Sequence, residues 1–147
     1  MKLIIMRGIS GSGKSTYVRE NFPDAVVCSA DDYFVVDGEY RFDPAGLGEA
    51  HTECFEKCLS SVDDHEPVVV VDNTNTQRAE FTPYVMLGRQ AGYDIQIVHI
   101  AVDVDIAAER NTHGVPADAV RRQHDRFEEA APFDPPGIRV GTDSLKS

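Results

Sequence analysis

The residues best suited to chemistry lie near the N-terminus, where positions 8–15 match G-x-x-x-x-G-K-[ST] at every fixed position. Glycines let the backbone pass close to a phosphate, and successive N–H groups point inward at a helix start, where the helix dipole also favours an anion. Lys14 would reach the β- and γ-phosphates of a nucleotide, and the Ser15 hydroxyl would complete the shell of a Mg²⁺ ion. The stretch predicts a phosphate-binding loop that holds a nucleoside triphosphate through Ser10, Gly11, Ser12, Gly13, Lys14, Ser15 and Thr16.

Two acidic segments stand directly after predicted apolar strands. Asp31 and Asp32 follow a strand over residues 25–28, and Asp72 closes the all-valine run 68–71. Because the carboxyl ends of parallel strands line the ligand crevice of an open α/β sheet, we expect these carboxylates near the phosphate-binding loop. One of the paired aspartates would act as a base for a hydroxyl nucleophile and the other as a structural partner, with helix capping as the alternative. Asp72 would bind Mg²⁺ through water or orient the nucleophile, unless it only forms a turn.

Aromatic residues are concentrated between positions 33 and 44, around a predicted turn at Asp37-Gly38. The segment could form a flap that binds substrate or a loop that packs against the domain, and the sequence favours neither. As a flap it would offer a stacking surface for a terminal base. The residues that would supply this surface are Tyr33, Phe34, Tyr40 and Phe42.

A cluster of positive charge lies toward the C-terminus and consists of Arg110, Arg121, Arg122 and Arg126. The first of these begins a turn over residues 110–116 that we interpret as a lid, and Pro116 opens a helix that runs to about residue 130. The last two share one face of that helix at i, i+4 spacing. Such a cluster is usually a solvated face, but in a phosphoryl-transfer fold these arginines would close over the γ-phosphate.

Alternating strand and helix patterns predict a single α/β domain over residues 1–147, with a mostly parallel sheet and helices on both faces. The predicted strands cover residues 2–7, 25–28, 68–71, 93–101 and 137–140, the last at an edge. The predicted helices cover residues 14–21, 44–62, 76–91, 103–111 and 116–130. We expect the third helix to kink or restart near Pro83, Asp103 to cap the fourth, and a tail from about residue 141 to fray.

The composition narrows the partners and the compartment. The chain of 147 residues has a net charge of −11, which argues against broad adhesion to DNA or RNA but leaves room for a local basic groove. No apolar run reaches membrane-spanning length, and the N-terminus enters a strand without a signal-peptide pattern. Three cysteines without C-x-x-C spacing favour buried thiols and a reducing cytoplasm. Nothing in the sequence defines an oligomeric state.

Together these motifs resemble the polynucleotide 5′-hydroxyl kinase branch of the P-loop kinases, and more closely the zeta-toxin-like ATPase domains of the NEDD4-binding-protein-2 type. The resemblance covers roughly residues 2–130. Beside the phosphate loop it rests on Asp31-Asp32-Tyr33, on Asp72-Asn73-Thr74-Asn75, on the Arg-Asn-x-His-Gly-Val-Pro run at 110–116 and on Arg126-Phe127-Glu128. The chain is similar to the kinase domain of bacteriophage polynucleotide kinase, a member of this branch, but departs from that phage kinase in two features: Phe34 replaces an arginine that helps to hold the substrate phosphate, and the lid is shorter.

The resemblance implies an ATP- and Mg²⁺-dependent kinase whose acceptor is the 5′-hydroxyl of a nucleic acid. The alternatives are a kinase of a small molecule or of a hydroxymethylated DNA base, and a nucleotide-dependent binding module with slow ATPase activity. The implied roles are a general base for Asp31, nucleotide and Mg²⁺ binding for Lys14 and Ser15, support of the metal's water shell for Asp72, a lid arginine for Arg110 and nucleotide binding for Arg126.

Overall fold

The central sheet of the protein has five strands, all parallel, as the strand patterns predict. The computed structural model describes residues 1–111 and 114–141, so two positions of the predicted lid and the predicted tail lie outside the described residues. The order across the sheet is β2-β5-β1-β6-β7, and β3 and β4 form a separate antiparallel hairpin. In chain order the strands are β1 (Lys2–Arg7), β2 (Val26–Cys28), β3 (Val35–Val36), β4 (Glu39–Tyr40), β5 (Val68–Asp72), β6 (Asp94–Ile100) and β7 (Gly137–Val140).

Helices pack on both faces of this sheet, and none in the described part of the chain is long and apolar enough to cross a membrane. α3 continues through Pro83, so the predicted restart is wrong, whereas Asp103 caps α4 as predicted. α5 stops short of the predicted end near residue 130, because the backbone N–H of Glu128 bonds instead to the carbonyl of Thr76. The helices are α1 (Lys14–Asn21), α2 (Leu47–Asp63), α3 (Arg78–Gln90), α4 (Val104–Arg110) and α5 (Ala117–Asp125).

Strand alternation explains why the sheet needs cover on both sides. In β1 the side chains of Leu3 and Ile5 face α2 and α3, while Ile4 and Met6 face α1 on the opposite side. All four side chains are buried, as expected for the middle strand of a parallel sheet. The sheet is therefore held rigidly, and its carboxyl edge offers a stable platform for the loops that follow the strands.

Arg7, the last residue of β1, is a buried cation that joins two distant segments at this edge. Its side chain is only 2% exposed, and its guanidinium has no carboxylate within ion-pair distance among the described residues. It connects the loop after β5 to the segment after α5. The acceptors are the carbonyl oxygens of Asn75 at 2.8 Å, Thr76 at 3.1 Å and Glu128 at 2.6 Å, and the flanking rings are Phe81 and Phe127.

Replacing Arg7 by methionine is expected to lower the free energy of unfolding by about 2–4 kcal/mol, because three carbonyl oxygens lose their donor. Urea denaturation measures the change. Arg41→Met is the matched control, since Arg41 is exposed and forms a surface ion pair with Glu39, and it should change stability by less than about 0.5 kcal/mol. Equal stability of the two variants would contradict a linking role for Arg7.

Candidate active site

The phosphate-binding loop, residues 8–13, joins β1 to α1 and requires glycine for steric reasons. Gly11 and Gly13 have φ angles of 80° and 101°, which L side chains rarely adopt. A Cβ atom on Gly11 would also lie 2.0 Å from the carbonyl oxygen of Ala107. The loop is thus pressed directly against α4, and any side chain at this position would separate the two.

Lys14, Ser15 and Asp72 meet at the start of α1. The Ser15 hydroxyl donates a hydrogen bond of 2.8 Å to Oδ2 of Asp72, and Lys14 Nζ donates one of 3.1 Å to the carbonyl of Ile9. Burial raises the pKa of Asp72, while the charge of Lys14 and the Ser15 hydrogen bond lower it. Burial lowers the pKa of Lys14, and the charge of Asp72 opposes that shift. The net pKa shifts of both groups follow burial, so the ammonium and the carboxylate offset each other's desolvation only in part.

The donor atoms around Asp72 fit a hydrated Mg²⁺ ion. The second carboxylate oxygen of Asp72, Oδ1, is buried and has no hydrogen-bond partner among the described residues. Those residues also contain no group of three or more His, Cys, Asp or Glu side chains that could hold a metal on their own. Because Mg²⁺ is usually held by one or two carboxylates together with water and substrate phosphates, Ser15 and Asp72 are a sufficient protein contribution.

The asparagines that follow Asp72 tie neighbouring strand ends together. Asn73 accepts a hydrogen bond of 2.9 Å from the backbone N–H of Ala30, at the end of β2. Asn75, in the left-handed region with φ of 47°, donates one of 2.8 Å to the carbonyl of Met6 in β1. The segment after β5 thus sets the spacing between the β2 loop and the phosphate-binding loop.

Asp31 lies in a short 3₁₀ helix, Ala30–Phe34, that Ser29 caps at its start. Its carboxylate is exposed and accepts a hydrogen bond of 3.2 Å from the hydroxyl of Tyr40, which the sequence analysis did not pair with it. Burial and the charge of Asp31 raise the pKa of Tyr40, so its hydroxyl remains a donor. Asp32 is also exposed but does not line the cavity described below.

Three of the four predicted arginines face the same space. Arg110 ends α4, Arg122 lies on α5 and Arg126 follows it, and all three line one cavity with the phosphate-binding loop. Arg121 does not line it; its guanidinium is 2.8 Å from Asp105 on the exposed surface. The prediction that Arg121 belongs to this group is therefore wrong, because its position on α5 directs its side chain toward α4.

A glutamine that no sequence pattern singled out fastens α5 to the phosphate-binding loop. Gln123 accepts a hydrogen bond of 2.8 Å from the backbone N–H of Ser10 and donates one of 3.0 Å to the Ser10 hydroxyl. The two residues are 113 positions apart, so no local spacing could have indicated the pair. Since Gln123 is adjacent to Arg122 on α5, these two hydrogen bonds fix the distance between Arg122 and the phosphate-binding loop.

These elements enclose a cavity of about 680 Å³. Ser12 is the predicted nucleotide-binding residue that does not line it, since its side chain is fully buried beneath the loop. Phe34 is 3% exposed and belongs to the core, so the expectation that it offers an open stacking face is wrong. The predicted site residues that do line the cavity are Ser10, Gly11, Gly13, Lys14, Ser15, Thr16, Asp31, Asp72, Arg110 and Arg126.

Comparison with known proteins confirms the resemblance and the fold. A family model described as an AAA domain matches residues 3–132. NEDD4-binding protein 2 from Homo sapiens is 35% identical over 140 residues, and the match covers 86% of this chain but only 8% of the human protein.

Two solved structures share the fold at low sequence identity. Kti12 from Chaetomium thermophilum, in complex with ADP-AlF3, has a TM-score of 0.71 and 17% identity over 98% of this chain and 91% of its own. A chain of the Pnkp1/Rnl/Hen1 RNA repair complex has a TM-score of 0.69 and 19% identity over 86% of this chain and 43% of its own. The fold is that of P-loop kinases.

Lys14→Met is expected to weaken binding of ATP about 10- to 150-fold without unfolding the protein, because a hydrogen bond to a charged group contributes about 1.5–3 kcal/mol. Isothermal titration calorimetry measures the affinity and circular dichroism the fold. Lys57→Met is the matched control, since Lys57 also donates to a backbone carbonyl, that of Val27, and is remote from the cavity. Unchanged ATP affinity in Lys14→Met would contradict the assignment of the loop.

Proposed function

The chain belongs to the AAA domain family, and from that premise and the geometry of the cavity we propose that it transfers the γ-phosphoryl group of ATP to the 5′-hydroxyl of a nucleic acid. One observation carries the proposal. The cavity contains a phosphate-binding loop with its Ser15–Asp72 pair and also Asp31, a separate carboxylate from a different strand end. A nucleotide-dependent binding module has no need for a carboxylate placed to receive an acceptor's proton.

In the proposed reaction Asp31 acts as the general base. The acceptor hydroxyl oxygen forms a bond to the γ-phosphorus, and the bond from that phosphorus to the β–γ bridging oxygen breaks, so that ADP leaves. The hydroxyl proton passes to the Asp31 carboxylate. Tyr40 donates its hydrogen bond to this carboxylate and so holds it in one orientation toward the cavity.

The opposite side of the cavity supplies positive charge to the transferring group. Lys14, Arg110 and Arg122 line the space beside the phosphate-binding loop, and Arg126 is held there by a hydrogen bond of 3.1 Å from its Nε to the Thr76 hydroxyl. Charges fixed before the reaction stabilise a transition state without reorganisation at that moment. Mg²⁺, when bound at Ser15 and Asp72, would neutralise further negative charge on the phosphates.

A nucleic acid end is compatible with the acidic surface of the protein. A net charge of −11 opposes binding along the length of a strand, but a terminal hydroxyl requires only a local site. The arginines of the cavity offset negative charge on the side where the phosphates of ATP would lie. The shared fold with a chain of an RNA repair complex, together with the Asp31-Asp32-Tyr33 and Asp72-Asn73-Thr74-Asn75 motifs, supports this acceptor class.

The direct test incubates the protein with Mg²⁺ and ATP labelled at the γ-phosphate. The acceptors are single-stranded DNA and RNA oligonucleotides with a free 5′-hydroxyl and, separately, nucleosides. Transfer of label to an oligonucleotide, and none to the same oligonucleotide carrying a 5′-phosphate, is the expected result. Label transfer to small molecules alone would overturn the choice of acceptor, and release of inorganic phosphate without any acceptor product would favour a slow ATPase.

Asp31→Asn is expected to lower kcat about 100-fold or more while the KM for ATP stays within a few-fold, because the base acts on the acceptor. Asp32→Asn is the matched control: the neighbouring aspartate undergoes the same change outside the cavity and should keep most of the activity. Steady-state kinetics with an oligonucleotide acceptor measures both. A well-folded but inactive Asp32→Asn beside an active Asp31→Asn would show that the base is Asp32.

A further inference from the structure

The cavity has two chemically different sides. The side formed by the phosphate-binding loop, α1, α4 and the α5 region carries every lysine and arginine among the described lining residues, namely Lys14, Arg19, Arg110, Arg122 and Arg126. The opposite side comes from residues 30–51, and its described lining residues include no lysine or arginine. We name it the acceptor wall, and its side chains that matter here are Asp31, Phe34, Tyr40, Phe42, Leu47 and His51.

Phe42 gives this wall an accessible aromatic face. Its ring is 48% exposed, although one side packs on the buried Phe34 with 5.0 Å between ring centroids. Leu47 beside it on the wall is 40% exposed. An aromatic ring that packs on the core and lines a cavity can stack on another flat ring at a small cost in side-chain entropy, since its contact with Phe34 already restricts it.

The hairpin fixes this face relative to the proposed base. β3 and β4 are joined by Asp37 and Gly38, with φ angles of 52° and 81°, which define a tight two-residue turn. The carbonyl of Phe34 accepts a hydrogen bond of 2.7 Å from the backbone N–H of Arg41, next to Phe42. Tyr40, from the same hairpin, contacts Asp31 directly. The open ring is therefore held two residues from a side chain that touches the general base.

We propose that the acceptor wall binds the unpaired base of the 5′-terminal nucleotide by stacking on Phe42, which places the hydroxyl of that nucleotide at Asp31. The inference rests on the proposed function and specifies its substrate. The protein would recognise the 5′ end of the acceptor by its first base and not by its first internucleotide phosphate. A phosphate bound on this wall would find no lysine or arginine among the described lining residues there. An unpaired terminal base can turn onto Phe42 without separating from a partner strand, so single-stranded ends are preferred.

The test compares two single-stranded oligonucleotides that differ only at the 5′-terminal residue, which carries thymine in one and no base in the other. Both retain the same 5′-hydroxyl and the same first phosphate. With saturating ATP, kcat/KM for the acceptor should be about 5- to 150-fold lower for the abasic end, as expected for the loss of one stacked base. The KM for ATP should be the same with either acceptor.

Variants assign the preference to Phe42. Phe42→Leu keeps an apolar side chain but removes the aromatic face, so the ratio of kcat/KM between the two acceptors should fall toward one. Phe42→Trp should retain the ratio. Val36→Ala, on the same hairpin with a side chain 47% exposed and outside the cavity, should behave as the parent protein.

The possible results distinguish failure of the stacking inference from failure of the proposed 5′-kinase function. Equal phosphorylation of the abasic and thymine ends by the parent protein would overturn the inference and leave the 5′-kinase function standing. A base preference that survives in Phe42→Leu would also overturn it, because another surface would then hold the base. Absence of label transfer to every oligonucleotide would overturn both.

Discussion

The site depends on keeping one carboxylate, that of Asp72, charged inside the protein. Burying a carboxylate costs free energy, and Lys14 and Ser15 offset part of that cost through a positive charge and a hydrogen bond. The parallel register of β5 against β1, which places Asp72 opposite Met6, brings the carboxylate to the phosphate-binding loop. The apolar strands and the two helical layers serve this placement, since a shifted register would leave the charge buried without compensation.

A second level of organisation consists of buried and partly buried polar side chains that bond to backbone atoms of distant segments. Asn73 and Asn75 join three strand ends, Arg7 joins the loop after β5 to the segment after α5, and Gln123 joins α5 to the phosphate-binding loop. Such groups cost free energy when unpaired and specify one arrangement when satisfied. These hydrogen bonds hold the arginine-bearing segments at a fixed distance from the phosphate-binding loop.

The two sides of the cavity differ in chemical character. Positive charge is gathered where a polyphosphate would carry its negative charge, and aromatic and apolar surface is gathered around Asp31. Phe34, the residue that stands in place of an arginine in the phage kinase, packs in the core and braces Phe42. The departure from the family pattern therefore changes what the wall presents to an acceptor, and the open aromatic face belongs to a residue eight positions further along the chain.

The sequence by itself determined the fold class, the phosphate-binding loop and the two acidic segments, because each follows from local spacing: glycines, a lysine and a serine after a strand, or aspartates at the ends of apolar strands. It could not determine which of the four arginines line the cavity, that Tyr40 bonds to Asp31, that Gln123 bonds to Ser10, or which aromatic side chain is exposed. Those choices depend on helix rotation and on contacts between residues far apart in the chain. They were decided only when α5 packed against α4 and the phosphate-binding loop, and when Tyr40 of the hairpin packed against the core.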